Sequence, residues 1–313
     1  MAVEQSLGPN RALSASYVAA IGRRLLQQGF LTNINPNFPG SNFLISNGDT
    51  SDYHALQLQF KQRLSAGLQA LISHTWSHSI DTASTDNRLL NTRQINPRIN
   101  RGSSDFDIRH AFSAAVTYNI PAPKFSPVGK AVLGGWAVDT IVGARTAFPV
   151  DLIGRSQVVI NGQTINGNFR PDLVPGVPLY VSDPTVAGGR RINRAAFVIT
   201  PAPMTAADLR QGTLGRNVLR GFPFWQLDVA LRRQFNITER VKLQLRGEAF
   251  NLFNHPNFAN PVRDLNNALF GQSINMLANG LAGAGSGTAE GGFNPQYQIG
   301  GPRSMQFALK LLF

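Results

Sequence analysis

The chain has 313 residues, of which 42% are hydrophobic and only 15% charged, with a net charge of +12 and no cysteine. Charged residues make up about a quarter of an ordinary soluble domain, so the composition points away from one. The missing thiols exclude disulfides, thiolate metal sites and a cysteine nucleophile.

From the N-terminus, Met1 to Asn10 holds Glu4 and no basic stretch, and the next residues alternate instead of forming an apolar block. No export signal is therefore expected here, and the chain reads as the C-terminal piece of something longer. No run approaches the roughly 18 uncharged apolar residues of a membrane helix. A bilayer would be met by strands, since only helices and closed barrels satisfy every backbone group in lipid.

Period-two alternation, one face apolar and one polar, then recurs along the chain. Leu13, Ala15, Tyr17, Ala19 and Ile21 share a face. Leu56, Leu58 and Phe60 oppose Gln57, Gln59 and Lys61. Leu68, Ala70, Ile72 and Trp76 oppose Gln69, Ser73 and Thr75. Phe112, Ala114, Val116, Tyr118 and Ile120 oppose Ser113, Thr117 and Asn119. Trp136, Val138 and Val142 oppose Asp139 and Arg145. Trp225, Leu227, Val229 and Leu231 oppose Gln226, Asp228 and Arg232, and Val241, Leu243, Leu245 and Ala249 oppose Lys242, Gln244, Arg246 and Glu248. The terminal strand places Met305, Phe307, Leu309, Leu311 and Phe313 opposite Gln306, Ala308, Lys310 and Leu312. That makes about eight strands of roughly ten residues, the length of a tilted membrane strand rather than the five or six of an ordinary one. On this reading Asp228, Arg232, Lys242, Arg246 and Glu248 face a wet lumen.

The connections also sort by length. Leu64 to Ala66, Pro121 to Lys130 and Asn236 to Thr238 are short, and all fall on the side of the C-terminus. Arg23 to Asp52, Ser77 to Arg109, Ala147 to Gly221 and Leu252 to Pro302 are long. Short turns on a periplasmic side and long loops outside are the layout of outer-membrane barrels. Gly280 to Gly292 is almost low-complexity and is expected to be mobile. Trp76, Trp136 and Trp225, with Tyr53 and Tyr118, lie near strand ends. Interfacial belts favour such rings, and a soluble core uses them too.

No catalytic constellation is found. His74 and His78 are four apart, too far along a strand to share one metal ion. His255 sits in an Asn-His-Pro-Asn turn signal. Ser104, Asp105, Asp107 and His110 are adjacent in sequence, whereas triad members converge from separate segments. Asp105, Asp107 and Arg109 read as ion pairs at a loop base. Asn47 to Asp52 lacks the closing Glu of a calcium loop. The 29 Lys and Arg are dispersed singly or in pairs, without the basic stripe of a nucleic-acid surface. No enzyme activity, cofactor, metal or nucleic-acid partner is expected.

Several segments carry a family likeness. They are Tyr53-His54-Ala55-Leu56-Gln57, Thr75-Trp76-Ser77-His78-Ser79-Ile80-Asp81, Ser104-Asp105-Phe106-Asp107-Ile108-Arg109-His110 and Leu133-Gly134-Gly135-Trp136. Further on come Leu214-Gly215-Arg216-Asn217-Val218-Leu219-Arg220-Gly221, then Glu248-Ala249-Phe250-Asn251-Leu252-Phe253-Asn254-His255-Pro256-Asn257-Phe258, and the strand ending at Phe313. In that order they resemble the C-terminal half of the barrel of TonB-dependent receptors, of the Oar-like group abundant in Acidobacteria. The resemblance covers nearly the whole of residues 1–313. It implies an antiparallel transmembrane β-barrel in the cell outer membrane, of which this chain is one part. It implies a plug and an energy-coupling TonB complex in the full-length protein, contacts with outer-membrane lipid and the barrel-assembly machinery, and an unknown transported substrate. It also implies that Phe307, Leu309, Leu311 and Phe313 form the membrane-insertion signal. The plug, the TonB box and the signal are not recognisable in this chain. Two other readings stay open: a self-contained small barrel, and a soluble β-sandwich adhesin.

Overall fold

The computed structural model describes residues 1–32, 37, 41–84, 90–91, 97–121, 129, 134–160, 163–199, 204–205, 210–281 and 299–313. Alternation becomes a meander. β1 (Ala2–Ser6), β2 (Arg11–Thr32), β3 (Ser41–Ser65), β4 (Leu68–Asp81) and β5 (His110–Asn119) follow one another across one sheet. β6 (Trp136–Arg145), β7 (Phe224–Asn236), β8 (Lys242–Phe250) and β9 (Ser304–Leu312) continue it in the same order. Each strand pairs antiparallel with the next in sequence. Two short segments add to the sheet: Leu90–Asn91 runs parallel to β2, and Gly102–Ser103 pairs with β4. Among the described residues β1 and β9 do not pair, so the sheet is an open wall.

All the tight connections lie at one end of the wall. There β1 turns into β2 at Leu7–Asn10, β3 into β4 at Ala66 and Gly67, and β7 into β8 at Ile237–Val241, beside the C-terminus. The Ala66-Gly67 turn has both residues at positive φ, 50° and 83°, which suits the right-handed twist of the hairpin. A Cβ on Gly67 would sit 2.5 Å from the carbonyl oxygen of Asn119 in β5. Gly67→Ala should therefore cost about 1–3 kcal/mol in combined backbone strain and overpacking, read as a lower urea midpoint for the folded chain in detergent.

Three features differ from the sequence expectation. β1 is an extra strand, short and polar enough to escape the alternation test. β2 and β3 have 22 and 25 residues instead of about ten. The presumed loop from Arg23 to Asp52 is thus largely hairpin, continued past an irregularity at Gly22, Leu25 and Gln27 where the register shifts. Tyr53 consequently lies within β3, not near a strand end. The segment 282–298, which holds most of the Gly-rich stretch, and most of the 122–133 connection lie outside the described residues.

The long connections at the other end are not loose loops. The described residues of 146–223, together with 251–281, build a cap with its own small sheets. Gly154–Ile160 pairs with Gln163–Phe169, Asp172–Leu173 with Phe197–Val198, Tyr180–Ser182 with Arg190–Ile192, and Pro149–Val150 with Leu219–Arg220. The hydrophobic core of the molecule sits here, not in the wall. Val150, Leu152, Ile192, Phe197, Leu214 and Leu219 from the first connection pack with Leu265 and Phe270 from the second. Burial of that apolar surface is the main drive for the cap to order.

Candidate functional site

The two faces of the wall are chemically opposite. Register places Tyr118, Val138, Leu231, Gly247 and Phe307 in one row across β5 to β9. The next residues along, Thr117, Asp139, Ala230, Glu248 and Gln306, form a row on the reverse face. On the first face the apolar side chains stand uncovered: Phe307 is 86% exposed, Leu309 67%, Leu311 55% and the terminal Phe313 98%. A monomer in water rarely leaves a contiguous apolar surface of this kind.

The reverse face carries a ladder of charges. Asp139 of β6 is its centre. Its Oδ2 accepts from Arg232 Nε at 3.1 Å and Arg246 Nη1 at 3.2 Å, and its Oδ1 from Thr117 Oγ1 at 2.8 Å. Arg246 Nε also donates to Glu248 Oε1 at 2.7 Å, and Arg232 Nη2 to Asn119 Oδ1 at 3.0 Å. Four successive strands, β5 to β8, are thereby joined by side chains that share one face. Asp228 lies on the same face nearer the cap, and accepts from Gln226 Nε2 and from the backbone N–H of Asn251, each at 2.8 Å. Lys242 is on this face at the short-turn end, paired in register with Leu312. The sequence pointed to Arg232, Arg246 and Glu248 but not to Asp139, the acid they share. Its only signal was a lone carboxylate in the alternation of β6.

The three tryptophans divide between the ends of the apolar face. Trp76 opposes Leu56 and His110, and Trp225 opposes Ala144, both toward the cap. Trp225 packs on His255 and Phe253, with ring centroids 4.3 and 6.0 Å away. Trp136 is at the other end, opposite Arg233, whose guanidinium lies over Trp136 and Phe235 at 5.1 and 4.4 Å. From Trp225 to Arg233 along β7 is eight residues, or roughly 27 Å of strand. A strand tilted as in membrane barrels covers most of an apolar band about 25 Å tall over that length.

Wall and cap are joined by buried ion pairs between two segments far apart in sequence. Arg216 has a fully buried side chain and binds Asp81 at the end of β4, Ser84 Oγ at 2.7 Å and Asp105 Oδ1 at 2.8 Å. Asn217, at φ 57°, donates to the Ser103 carbonyl and to Asp105, each at 2.7 Å. Arg220 Nη2 binds Asp107 Oδ2 at 2.7 Å, and its Nη1 the Asp107 carbonyl at 2.8 Å. Asp107 also accepts from the Ser79 amide at 2.8 Å and faces His78 Nδ1 at 3.1 Å. Arg109 is a more distant partner of Asp107, at 3.7 Å. The expected ion pairs at the loop base are therefore mainly pairs to Arg216 and Arg220 in the cap, a match that sequence adjacency could not suggest. Arg170 adds a third strut, to Asn100 Oδ1 at 2.8 Å and the Ile99 carbonyl at 3.0 Å. On the other side, Asn251, at φ 49°, bonds the carbonyls of His255 and Gly301 at 2.9 and 2.8 Å.

Burial alone would raise the Asp107 carboxyl, but its bonds to Arg220, Ser79 and His78 outweigh that and hold it below the ordinary value of 3.8. Stability from this group is thus complete above that ordinary value and is lost as pH falls through the lower folded-state value. Acidification from pH 5 toward pH 2 should loosen the cap before the wall, seen as protease cleavage within 146–223 while heat-resistant migration of the wall persists.

Among the described residues no group of three or more His, Asp or Glu is arranged to hold a metal ion.

Comparison with known proteins fits this geometry. The family model described as outer membrane beta barrel domain matches residues 1–280. Among solved structures, the outer membrane transporter YddB from Escherichia coli superposes with a TM-score of 0.52 at 10% identity. The match covers 99% of this chain and 31% of that one, so the chain spans about a third of the transporter's length. No curated protein matches the sequence. With one apolar face, one charged face and a match over most of its length, the chain belongs to the outer-membrane β-barrel domain family and is a protein of the outer membrane.

Proposed function

We propose that the chain is the C-terminal wall of a TonB-dependent receptor of the Oar-like type. On this reading it supplies strands, outer loops and the insertion signal to a larger barrel that binds a substrate and passes it inward past a plug. The observation that carries the reading is the open meander, whose β1 and β9 edges are unpaired among the described residues, because an uncapped sheet edge in lipid is untenable unless other strands close it. The likeness to about a third of a transporter supports the same reading. So do the motifs around Asp105 and Arg216, which bond to each other, and the one around Asn251, which ties His255 to Gly301. Asp228, Arg232, Lys242, Arg246 and Glu248 then face the lumen. Trp76 and Trp225 mark the outer interface and Trp136 the periplasmic one. The working partners are outer-membrane lipid, the barrel-assembly machinery, the plug and the TonB complex. The chemistry is binding and gated passage, not catalysis.

The test is the DNA upstream of the codon for Met1. A continuous frame encoding a plug and an export signal supports the proposal. Stop codons directly upstream, together with refolding of the chain into a closed, heat-modifiable barrel in detergent, would replace it with a small self-contained barrel. Solubility without detergent would replace both with a soluble sandwich. Deleting Phe313, the exposed end of β9's apolar face, should reduce outer-membrane assembly at least severalfold. Normal assembly of that deletion would remove the insertion-signal assignment.

A further inference from the structure

The five histidines of the chain lie toward the cap end of the wall. His54 opposes His78 across β3 and β4, His74 opposes Leu58 and Phe112, and His110 opposes Trp76, which puts these four on the apolar face near the cap. His255 packs against Trp225 at the same end, with the two rings tilted by 42°. Two of the five have other polar partners: His54 Nδ1 meets the Tyr17 hydroxyl at 2.7 Å, and His78 meets Asp107.

His74 and His110 face each other. Their rings are nearly parallel, at 19° with centroids 5.5 Å apart, and His74 Nε2 lies 3.4 Å from His110 Nδ1. That separation is long for a direct N–H···N bond, where about 2.7–3.2 Å is usual for strong contacts. It equals the nitrogen–nitrogen span of two imidazoles on one tetrahedral zinc ion, since Zn–N bonds of about 2.0–2.1 Å at the tetrahedral angle give roughly 3.3–3.4 Å. Imidazole is also the ligand type that suits zinc, copper and nickel. The backbone holds His110 in place. Its amide donates to Thr146 Oγ1 at 3.1 Å, and its carbonyl accepts from the Thr146 amide at 2.9 Å. His110 is exposed and His74 half-buried, so an ion can reach the gap and water can complete its coordination.

We infer that His74 and His110 form a two-histidine site for a divalent transition-metal ion of the zinc type, bridging β4 and β5. The site closes the base of the 82–109 connection from the outer face, while Asp81, Asp105 and Arg216 close it from the cap. Metal bound here locks two neighbouring strands in register.

The experiment uses the untagged full chain folded in detergent micelles. Zinc and nickel are titrated by calorimetry into this protein and into His74→Gln, His110→Gln and His54→Gln variants. One equivalent should bind, with affinity reduced at least tenfold by either of the first two changes and unaltered by the third. Cobalt in the unmutated protein should give the intense visible bands of a tetrahedral site, a readout that needs no variant to fold. Binding that survives both the His74 and His110 changes, or that is lost with His54 instead, overturns the assignment. So does the absence of any tetrahedral cobalt spectrum, which would leave an adventitious ion only.

Discussion

Replacing Arg216 with methionine should lower the stability of the folded chain by about 3–5 kcal/mol, the usual cost of breaking a buried pair by removing one partner. The change would strand Asp81, whose side chain is 3% exposed, and would remove the bonds to Ser84 and Asp105. The loss should localise. Urea unfolding would split into two transitions, and limited proteolysis would cut 146–223 while the wall stays intact. A double variant, Arg216→Met with Asp81→Asn, should recover a large part of the loss because no buried charge is then left alone. A single unshifted transition in the methionine variant would show that the ion pairs do not join cap to wall.

Val229→Arg should cost about 2–4 kcal/mol in a bilayer, the penalty for a cation near the midplane of a barrel's lipid face. Val229 lies midway between Trp225 and Arg233 along β7 and opposes Thr140 and Ala249. The matched control is Gln306→Arg on the reverse face, where Glu248 is directly opposite in register. It should be nearly neutral, because a half-exposed pair contributes little either way. Reversible unfolding in lipid vesicles measures both. Equal costs at the two positions would mean that the faces do not differ in solvent, and the membrane orientation would fall.

Which parts of this were legible follows from what each part is made of. The wall was legible because lipid on one side and polar surroundings on the other force a period-two pattern. Leu243 and Leu245, with Gln244, Arg246 and Glu248 at the alternate positions of β8, announce both the strand and its faces. β1 escaped because five residues, Ala2–Ser6, contain too few apolar positions to show a period. The far halves of β2 and β3 escaped because they project beyond the apolar band, where Asn47, Asp49 and Ser51 look like loop. The cap was not legible as a fold. Its strands are two to seven residues long, and its core is assembled from Leu152, Phe197 and Leu265, which no local pattern connects. Its anchors were present as motifs, Ser104 to His110 and Leu214 to Gly221, yet the pairing of Arg216 with Asp81 across 135 positions is a tertiary fact. Asp139 shows the same limit, since its partners come from three other strands.

The strictly sequential order of the wall has a kinetic consequence. Every main strand meets its nearest neighbours in sequence, so the wall can form hairpin by hairpin with modest loop-closure cost at each step. The cap cannot form that way. Its bonds between 81 or 105 and 216 wait for the connection that follows β6, and those between 149 or 153 and 260 or 264 join only after β7 and β8 have taken their places. The two halves of the molecule therefore mature in sequence. A chain arrested after β6 would have a nearly ordered lipid-facing surface and an exterior still open to proteases, and resistance to cleavage would report the last step of assembly rather than the first.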